Sequence, residues 1–233
     1  MNSIAAKRFY KSASVDEASV GVMLDERRLR TPANAVFAAP TRALAEAIAA
    51  EWSAQGDHIA PSTMPLTQLA FAAIDAAPAR RGDLAAYVAK FGETDLLCHR
   101  ADSPPGLVER QAQAWDPLLA WSEQRLGVKL PVVVGVLAAP TDEASIETLR
   151  AHADALDDFR LTALAQAAGA SGSALIAFAL AHCQIDAAGA FAAAALDDLW
   201  SQETWGRDEE AQVRLDRLRA EFEAIDRFFA ALA

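Results

Sequence analysis

The sequence predicts an α+β protein that is predominantly α: a small N-terminal antiparallel β/α domain followed by a larger all-helical domain. Two observations carry this prediction. In the first forty residues, apolar residues recur at period two, as at Val20, Val22 and Leu24. Beyond Pro40 apolar residues recur at helical spacing, and 56 of the 233 residues are Ala, the strongest helix former. We place the boundary near Pro61, giving domains 1–62 and 63–233.

In the N-terminal domain, two polar segments separate the predicted strands. Residues 16–19 predict a turn, and residues 25–28 form a second polar break. Pro32 ends or edges a strand because it cannot donate to a ladder, and residues 36–37 could add a further short strand. We therefore expect a small antiparallel meander, fixed in part by charge pairs among four residues: Arg8, Lys11, Asp25 and Arg27.

Capping signals then mark the starts of successive helices. Ser, Thr and Asp side chains accept hydrogen bonds from the free N–H groups of a first turn, and Pro suits the first helical position. On this basis we predict helix starts at Thr41, Pro65, Asp142, Ser173 and Asp186. Residues 206–208 predict a break before the last helix, and residues 94–99 and 131–136 read as short extended segments.

The charge balance excludes several classes of partner. The formal net charge is −11 and the isoelectric point is near 4.8, so the chain has no long-range attraction for nucleic acid. Residues 161–185 contain the longest weakly charged stretch and read as helix, loop and helix, so we expect no membrane insertion. The start of the chain has no signal-peptide pattern, and Cys98 and Cys183 are expected to be reduced, buried thiols. These features predict a cytoplasmic protein.

No motif for metal, cofactor or covalent chemistry is visible. The four histidines lack the i, i+3 or i, i+4 spacing of a local zinc site, and no G-x-S-x-G elbow occurs. We therefore predict no metal, no cofactor and no catalytic residue. Adjacent acids such as Asp157–Asp158 and Asp197–Asp198 leave open general acid/base chemistry, although solvated helix faces or caps explain them more simply.

An acidic segment that holds two tryptophans is the first candidate for a partner-binding site. Residues 197–233 contain ten acids and five arginines. Buried Trp anchors dominate many protein interfaces, and acids select a basic partner. We predict that Trp200, Trp205, Asp208 and Glu210 bind a partner, with Glu51 and Trp52 as a second candidate. Core packing of the tryptophans and helix capping by Asp208 are the alternatives.

Seven short strings occur in an order that resembles a known family. They are Arg8-Phe9-Tyr10-Lys11; Leu24-Asp25 with Arg27, Leu29 and Thr31-Pro32; Glu51-Trp52 with Gln55; Met64-Pro65-Leu66-Thr67; Thr94-Asp95-Leu96-Leu97; Gln111 with Trp115-Asp116-Pro117; and Trp205-Gly206 with Asp208. This series resembles the assembly-chaperone family dedicated to the alpha subunit of the F1 sector of F-type ATP synthase. Glu26 departs from the pattern, since the resemblance leads us to expect Gly there.

The resemblance implies a non-enzymatic chaperone with the same two-domain arrangement. Such a protein holds the unassembled alpha subunit and prevents its aggregation until the beta subunit replaces it. It requires no cofactor. The start of the chain fits the bacterial cytoplasm, or the mitochondrial matrix for a processed organellar homologue. We also expect a monomer, because no heptad pattern is sustained and the acidic charge opposes self-association. Two alternatives stay open at this point, a helical enzyme that uses acidic residues and a generic protein-binding adaptor.

Overall fold

A computed structural model describes residues 6–16, 18–135 and 139–233. It confirms the predicted fold class, with ten α-helices and a small antiparallel sheet in these residues. Glu17 of the first predicted turn and Val136 of the second extended segment lie outside the described residues.

The described residues separate into two compact units. Unit 1 comprises the chain up to Arg80 together with Arg227–Ala233, and unit 2 comprises Arg81–Asp226. The predicted boundary at 62/63 thus lies within unit 1. Arg80 has non-helical backbone angles (φ −128°, ψ 17°) inside the third helix, so the division coincides with a break in that helix.

Unit 1 carries the predicted meander. Its three strands pair antiparallel in the order β1 (Ala13–Asp16), β2 (Gly21–Leu24) and β3 (Arg27–Arg28). The second turn is confined to residues 25–26, because Arg27 and Arg28 pair with Leu24 and Met23 as the third strand. The expected strand at residues 36–37 is reduced to a single bridge between Arg30 and Val36.

Asp25 fixes the meander differently from the charge pairs that we expected. Its carboxylate accepts the backbone N–H groups of Lys11 (3.1 Å) and Ser12 (2.9 Å), which hold its pKa below the usual value. The Arg8 guanidinium donates to backbone carbonyls instead of a carboxylate, with Tyr10 O at 3.1 Å and Lys11 O at 3.0 Å. Hydrogen bonds to backbone groups therefore take the place of the expected charge pairs, and an ion pair between Arg28 and Asp16 (3.1 Å) joins β3 to β1.

Helices α1 (Arg42–Ser53) and α2 (Pro65–Asp75) complete the core of unit 1, together with the last residues of the chain. Thr41 caps α1 as predicted, its hydroxyl accepting from Leu44 N at 3.2 Å. Helix α2 is joined to the meander side of the unit because Asp75 accepts a hydrogen bond from Thr31 at 2.6 Å. This contact explains why α2, which follows the predicted boundary, lies in unit 1.

Unit 2 is built from helices and one small pair of strands. The helices are α3 (Ala77–Lys90, from Arg81 onward), α4 (Pro105–Leu126), α5 (Glu143–Asp154), α6 (Asp158–Ser171), α7 (Ala174–Ala181), α8 (Ala187–Ala194), α9 (Leu196–Trp205) and α10 (Glu209–Ala231, up to Asp226). Strands β4 (His99–Arg100) and β5 (Val133–Val134) pair in parallel. Strand β5 lies within residues 131–136, which the sequence predicted as extended. The prediction for residues 94–99 was largely wrong, because Leu96–Cys98 form a 3₁₀ turn and only His99 joins a strand.

Helix α7 is the centre of the core of unit 2. Residues 174–180 are all buried, which a helix that is apolar on every side requires. Ser173 caps it as predicted, accepting from Ile176 N at 3.0 Å, and Gly172 ends α6 in the left-handed conformation (φ 68°). Of the two thiols, Cys98 is buried as expected, whereas Cys183 is exposed because it follows the end of α7.

In the described ranges, no helix combines the length and the apolar character that crossing a membrane requires.

Candidate protein-binding surface

The first group of predicted site residues lies at and beside the turn between α9 and α10. Gly206 ends α9 with φ 99° and ψ 165°, a conformation that L side chains rarely adopt. Asp208 then begins α10, since its carboxylate accepts from Ala211 N at 2.6 Å and its carbonyl accepts from Gln212 N at 2.9 Å. The predicted break is therefore a turn in which Asp208 is the capping residue.

The two tryptophans of α9 have different environments. Trp200 is half-buried, and its ring lies so close to Gly106 on α4 that a Cβ there would be 2.7 Å from Trp200 Cη2. The Arg110 guanidinium lies 5.8 Å from the centre of the same ring. Trp205, one turn later, is 84% exposed, more than any other large apolar side chain in the described residues. Trp200 is thus a packing residue and Trp205 a free surface residue.

Helix α4 holds α9 through charged as well as aromatic contacts. Arg110 donates twice to Glu203, at 2.6 and 3.0 Å, and this pairing lowers the pKa of the Glu203 carboxyl. Gln111 donates to Asp197 at 2.8 Å. A two-pronged arginine–carboxylate pair is directional as well as attractive, so it orients the helix end that carries Trp205.

The surroundings of Trp205 are acidic. Asp208, Glu209 and Glu210 are all exposed and follow it within five residues, and Arg207 is the basic residue among them. Val213, on the second turn of α10, is 49% exposed. Residues 205–213 therefore combine a free indole, carboxylates and an exposed valine; we call them the Trp205 surface.

The second predicted pair, Glu51 and Trp52, has a structural environment. The Glu51 carboxylate accepts from Leu66 N at 2.9 Å, Thr67 N at 2.8 Å and Thr67 Oγ1 at 2.6 Å, so it caps α2 from α1. Trp52 is buried, and its carbonyl accepts from the Tyr10 hydroxyl at 2.7 Å. Sequence alone did not reveal this cap, because Glu51 lies 14 residues before the helix that it caps. Binding of a partner by this pair stays a prediction.

Replacing Glu51 by alanine tests that prediction. Glu51→Ala leaves the first turn of α2 without its acceptor, and we expect the free energy of unfolding to fall by about 1–2 kcal/mol. Urea denaturation measures this change, and Glu46→Ala on the exposed side of α1 is the matched control. Weaker capture of a partner at full stability would instead assign Glu51 to binding.

The acidic pairs considered for catalysis have structural partners. Asp157 caps α6, accepting from Phe159 N and Arg160 N at 3.0 Å each. Asp158 pairs with Arg81 at 2.5 Å. Asp198 pairs with Arg214 at 2.8 Å. Within the described ranges, no group of three or more His, Cys, Asp or Glu side chains is arranged to hold a metal ion.

Comparison with known proteins decides the family. A family model described as "ATP12 chaperone protein" matches residues 7–123, half of the chain. The chain belongs to the ATP12 chaperone family. It is a chaperone of F1-ATPase assembly and not an enzyme, as predicted.

Solved structures and a curated relative agree with this family. The crystal structure of Atp12 from Paracoccus denitrificans is 39% identical, with a TM-score of 0.91 over 98% of this chain and 99% of that one. An aspartate-to-lysine mutant of the same protein matches with the same TM-score and identity, over 98% of each chain. A mitochondrial atp12 protein from Schizosaccharomyces pombe is 24% identical over 219 residues, covering 88% of this chain and 75% of the relative.

Proposed function

We propose that this chaperone binds the unassembled alpha subunit of F1, and that the Trp205 surface is part of the contact. An unassembled ring subunit exposes an apolar interface that its neighbours normally cover, and such a patch favours aggregation. A chaperone that covers part of the patch keeps the subunit soluble. The beta subunit releases it by occupying overlapping surface.

The exposure of Trp205 is the single observation that carries the proposal. Leaving an indole 84% exposed in water gives the folded chain no burial energy, whereas burying it in a partner gains a large apolar contact. The carboxylates of Asp208 and Glu210 beside it favour a basic rim on the partner. In this proposal Trp200 contributes by packing α9 against Gly106 and Arg110 of α4, not by direct contact.

We propose further that the chaperone is a monomer in the bacterial cytoplasm. Its acidic surface opposes self-association, since like charges repel across a symmetric interface. Sedimentation at several concentrations measures the oligomeric state, and a concentration-dependent dimer would contradict the proposal.

Co-expression tests the proposed partner. We expect the alpha subunit to stay soluble and to copurify with the chaperone, while the beta subunit, expressed alone beside it, does not copurify. Capture of beta and not alpha would overturn the choice of partner. Affinity purification from cells tests the adaptor alternative, because a broad set of captured proteins without ATP synthase subunits contradicts a dedicated role.

Charge variants test the surface. We expect Asp208→Lys and Glu210→Lys each to weaken capture of the alpha subunit about tenfold, with little change in melting temperature beyond the lost cap of Asp208. Asp208→Asn is the matched control, because asparagine caps a helix as well as aspartate but carries no charge. Normal binding by both reversals would remove the acidic residues from the contact; binding lost only with unfolding would assign them to structure.

A further inference from the structure

The segment from Lys7 to Lys11 alternates between exposed and inward-facing side chains. Lys7, Phe9 and Lys11 are exposed, Arg8 is half-buried and Tyr10 is 5% exposed. A period of two is the geometry of an extended chain, in which alternate side chains share one face. Lys7, Phe9 and Lys11 therefore form a cation–aromatic–cation row on the surface of unit 1, which we call the Phe9 stripe.

Arg8 holds the backbone of this segment in place. Its backbone N–H donates to Asp57 O at 2.8 Å. Its guanidinium donates to the carbonyls of Tyr10 at 3.1 Å and Lys11 at 3.0 Å, and also to the carbonyl of Gln55. The polar groups of Arg8 thus hold this segment in place, next to the bridge that Lys7 forms with His58.

Two further contacts fix the segment on either side of this arginine. Tyr10 donates its hydroxyl to Trp52 O at 2.7 Å. Asp25 accepts the backbone N–H of Lys11 at 3.1 Å. The outward side chains are consequently presented from a rigid backbone, which lowers the entropy that a partner must remove on binding.

Phe9 does not pack into the core of unit 1. Its side chain is 62% exposed, and its ring meets the edge of Tyr10 at a centroid distance of 5.3 Å. An aromatic side chain on a fixed backbone, exposed on one side and supported on the other, has the properties of an interface anchor.

The lysines on either side of Phe9 are exposed, and Lys11 also lies close enough to the Asp25 carboxylate to help lower its pKa. Within the described residues, neither Lys7 nor Lys11 forms an ion pair shorter than 4 Å. The two units also differ in charge. Unit 1 contains nine Lys and Arg residues and eight Asp and Glu residues, a net +1, whereas unit 2 contains twelve and twenty-four, a net −12. The Phe9 stripe therefore lies in the part of the chain that does not repel acidic partners.

We infer that the Phe9 stripe is a docking surface for an extended acidic segment of the client subunit, a segment with carboxylates two residues before and two residues after an apolar side chain. Alternate side chains of a strand lie about 6.5–7 Å apart, so such a segment places its carboxylates against Lys7 and Lys11 and its apolar residue against Phe9. This inference rests on the proposed function, to which it adds a second, basic contact in unit 1.

A polypeptide fits better than a membrane or a nucleic acid. Anionic lipid surfaces are recognised by clusters of about four to eight basic residues, and the stripe has two. The net charge of −11 opposes approach to a polyanion, whereas a short acidic segment is attracted within the ~10 Å range of electrostatics at 0.1 M salt.

Peptide binding to the full chain tests the inference. The probe is a fluorescent peptide with the core Glu-Ser-Leu-Ser-Glu, and the control peptide has Lys in place of Glu. We expect wild type to bind the acidic peptide and not the basic one in fluorescence anisotropy, with binding weakened at 300 mM salt. The double variant Lys7→Glu with Lys11→Glu should lose at least tenfold in affinity, and Phe9→Ala about fivefold. Lys90→Glu, an exposed lysine on α3, is the matched control and should bind as wild type does.

Three results would overturn the inference. The first is no binding of the acidic peptide by wild type at 1 mM. The second is equal binding by wild type and the double variant, whose circular dichroism and melting temperature verify its folding. The third is binding of phosphatidylserine vesicles, dependent on Lys7 and Lys11, where the peptide does not bind.

Capture of the alpha subunit separates this inference from the proposed function. If wild type and the double variant capture it equally, the proposed function stands and the Phe9 stripe has no part in it. If wild type does not capture it, the proposed function fails, and the peptide experiment still decides whether the stripe recognises acidic segments.

Discussion

Asp95→Ala is expected to lower the free energy of unfolding by about 3 kcal/mol, the largest effect on stability among the substitutions considered. Asp95 is 1% exposed, and its carboxylate accepts from Ser173 Oγ at 2.6 Å, Leu97 N at 3.1 Å and Leu175 N at 3.2 Å. It therefore connects the turn before β4 with the first turn of α7. Alanine leaves these donors buried without an acceptor, a cost that urea denaturation at pH 7 measures.

The conservative variant Asp95→Asn separates the shape of this residue from its charge. Burial raises the pKa of Asp95 from 3.8 to about 6, although the hydrogen bond from Ser173 and the backbone N–H groups oppose the rise. The folded chain thus holds the proton more tightly than the unfolded chain. The contribution of Asp95 is largest below pH 3.8, falls as the pH rises towards 6, and is constant above.

Because the stability contributed by Asp95 falls as the pH rises, the loss of unfolding free energy caused by Asp95→Asn depends on pH. The cost should be larger at pH 4.5 than at pH 7, by about 2 kcal/mol, because only wild type gains from protonation in that window. Asp142→Asn, at the exposed cap of α5, is the control, since the pKa of Asp142 is lowered by the hydrogen bonds from Ser145 and its pH dependence has the opposite sign. A cost of Asp95→Asn that does not vary with pH would contradict the burial of an ionisable carboxyl.

Trp205→Ala is expected to weaken capture of the alpha subunit by about 30-fold or more, with no loss of stability, which is the scale of an interface anchor. Trp205 has no contact that the folded chain needs, since 84% of its side chain is exposed. Titration calorimetry or a quantitative pull-down measures the affinity, and thermal denaturation verifies the fold.

Trp200→Ala is the matched comparison for this experiment. Because Trp200 packs on Gly106 and Arg110, its removal should lower the melting temperature and should affect capture only by loosening α9. Equal capture by wild type and Trp205→Ala would exclude Trp205 as an anchor. If Trp200→Ala were instead stable but did not capture the alpha subunit, Trp200 would be the residue that contacts the partner.

Local signals predicted much of the fold. The caps at Thr41, Ser173 and Asp186 are hydrogen bonds to residues within three positions along the chain, so the residues that form them are visible in a short window. The same holds for the left-handed Gly172 and for the break at Gly206. The predicted fold class is correct because these signals and the apolar spacing agree along the whole chain.

Long-range contacts account for what the sequence did not reveal. Glu51 was predicted to bind a partner, yet it caps α2 through N–H groups 15 and 16 residues away. Trp200 and Trp205 both lie in one acidic segment of the sequence, which does not show which of them is buried. The partial burial of Trp200 arises from Gly106 and Arg110, about 90 positions earlier. The exposure of Phe9 also depends on tertiary structure. Its position between Lys7 and Lys11 was the available signal in the sequence, and that signal becomes interpretable only because Tyr10 is buried.

By itself, the sequence determined the family, the helical character, the positions of the caps and the acidic charge, because each depends on residue identity at short spacing. Only the tertiary structure decided which aromatic side chains lie inside and which face solvent. Burial depends on what distant segments bring to a residue, and the glycine on another helix against which Trp200 packs lies far from it in sequence.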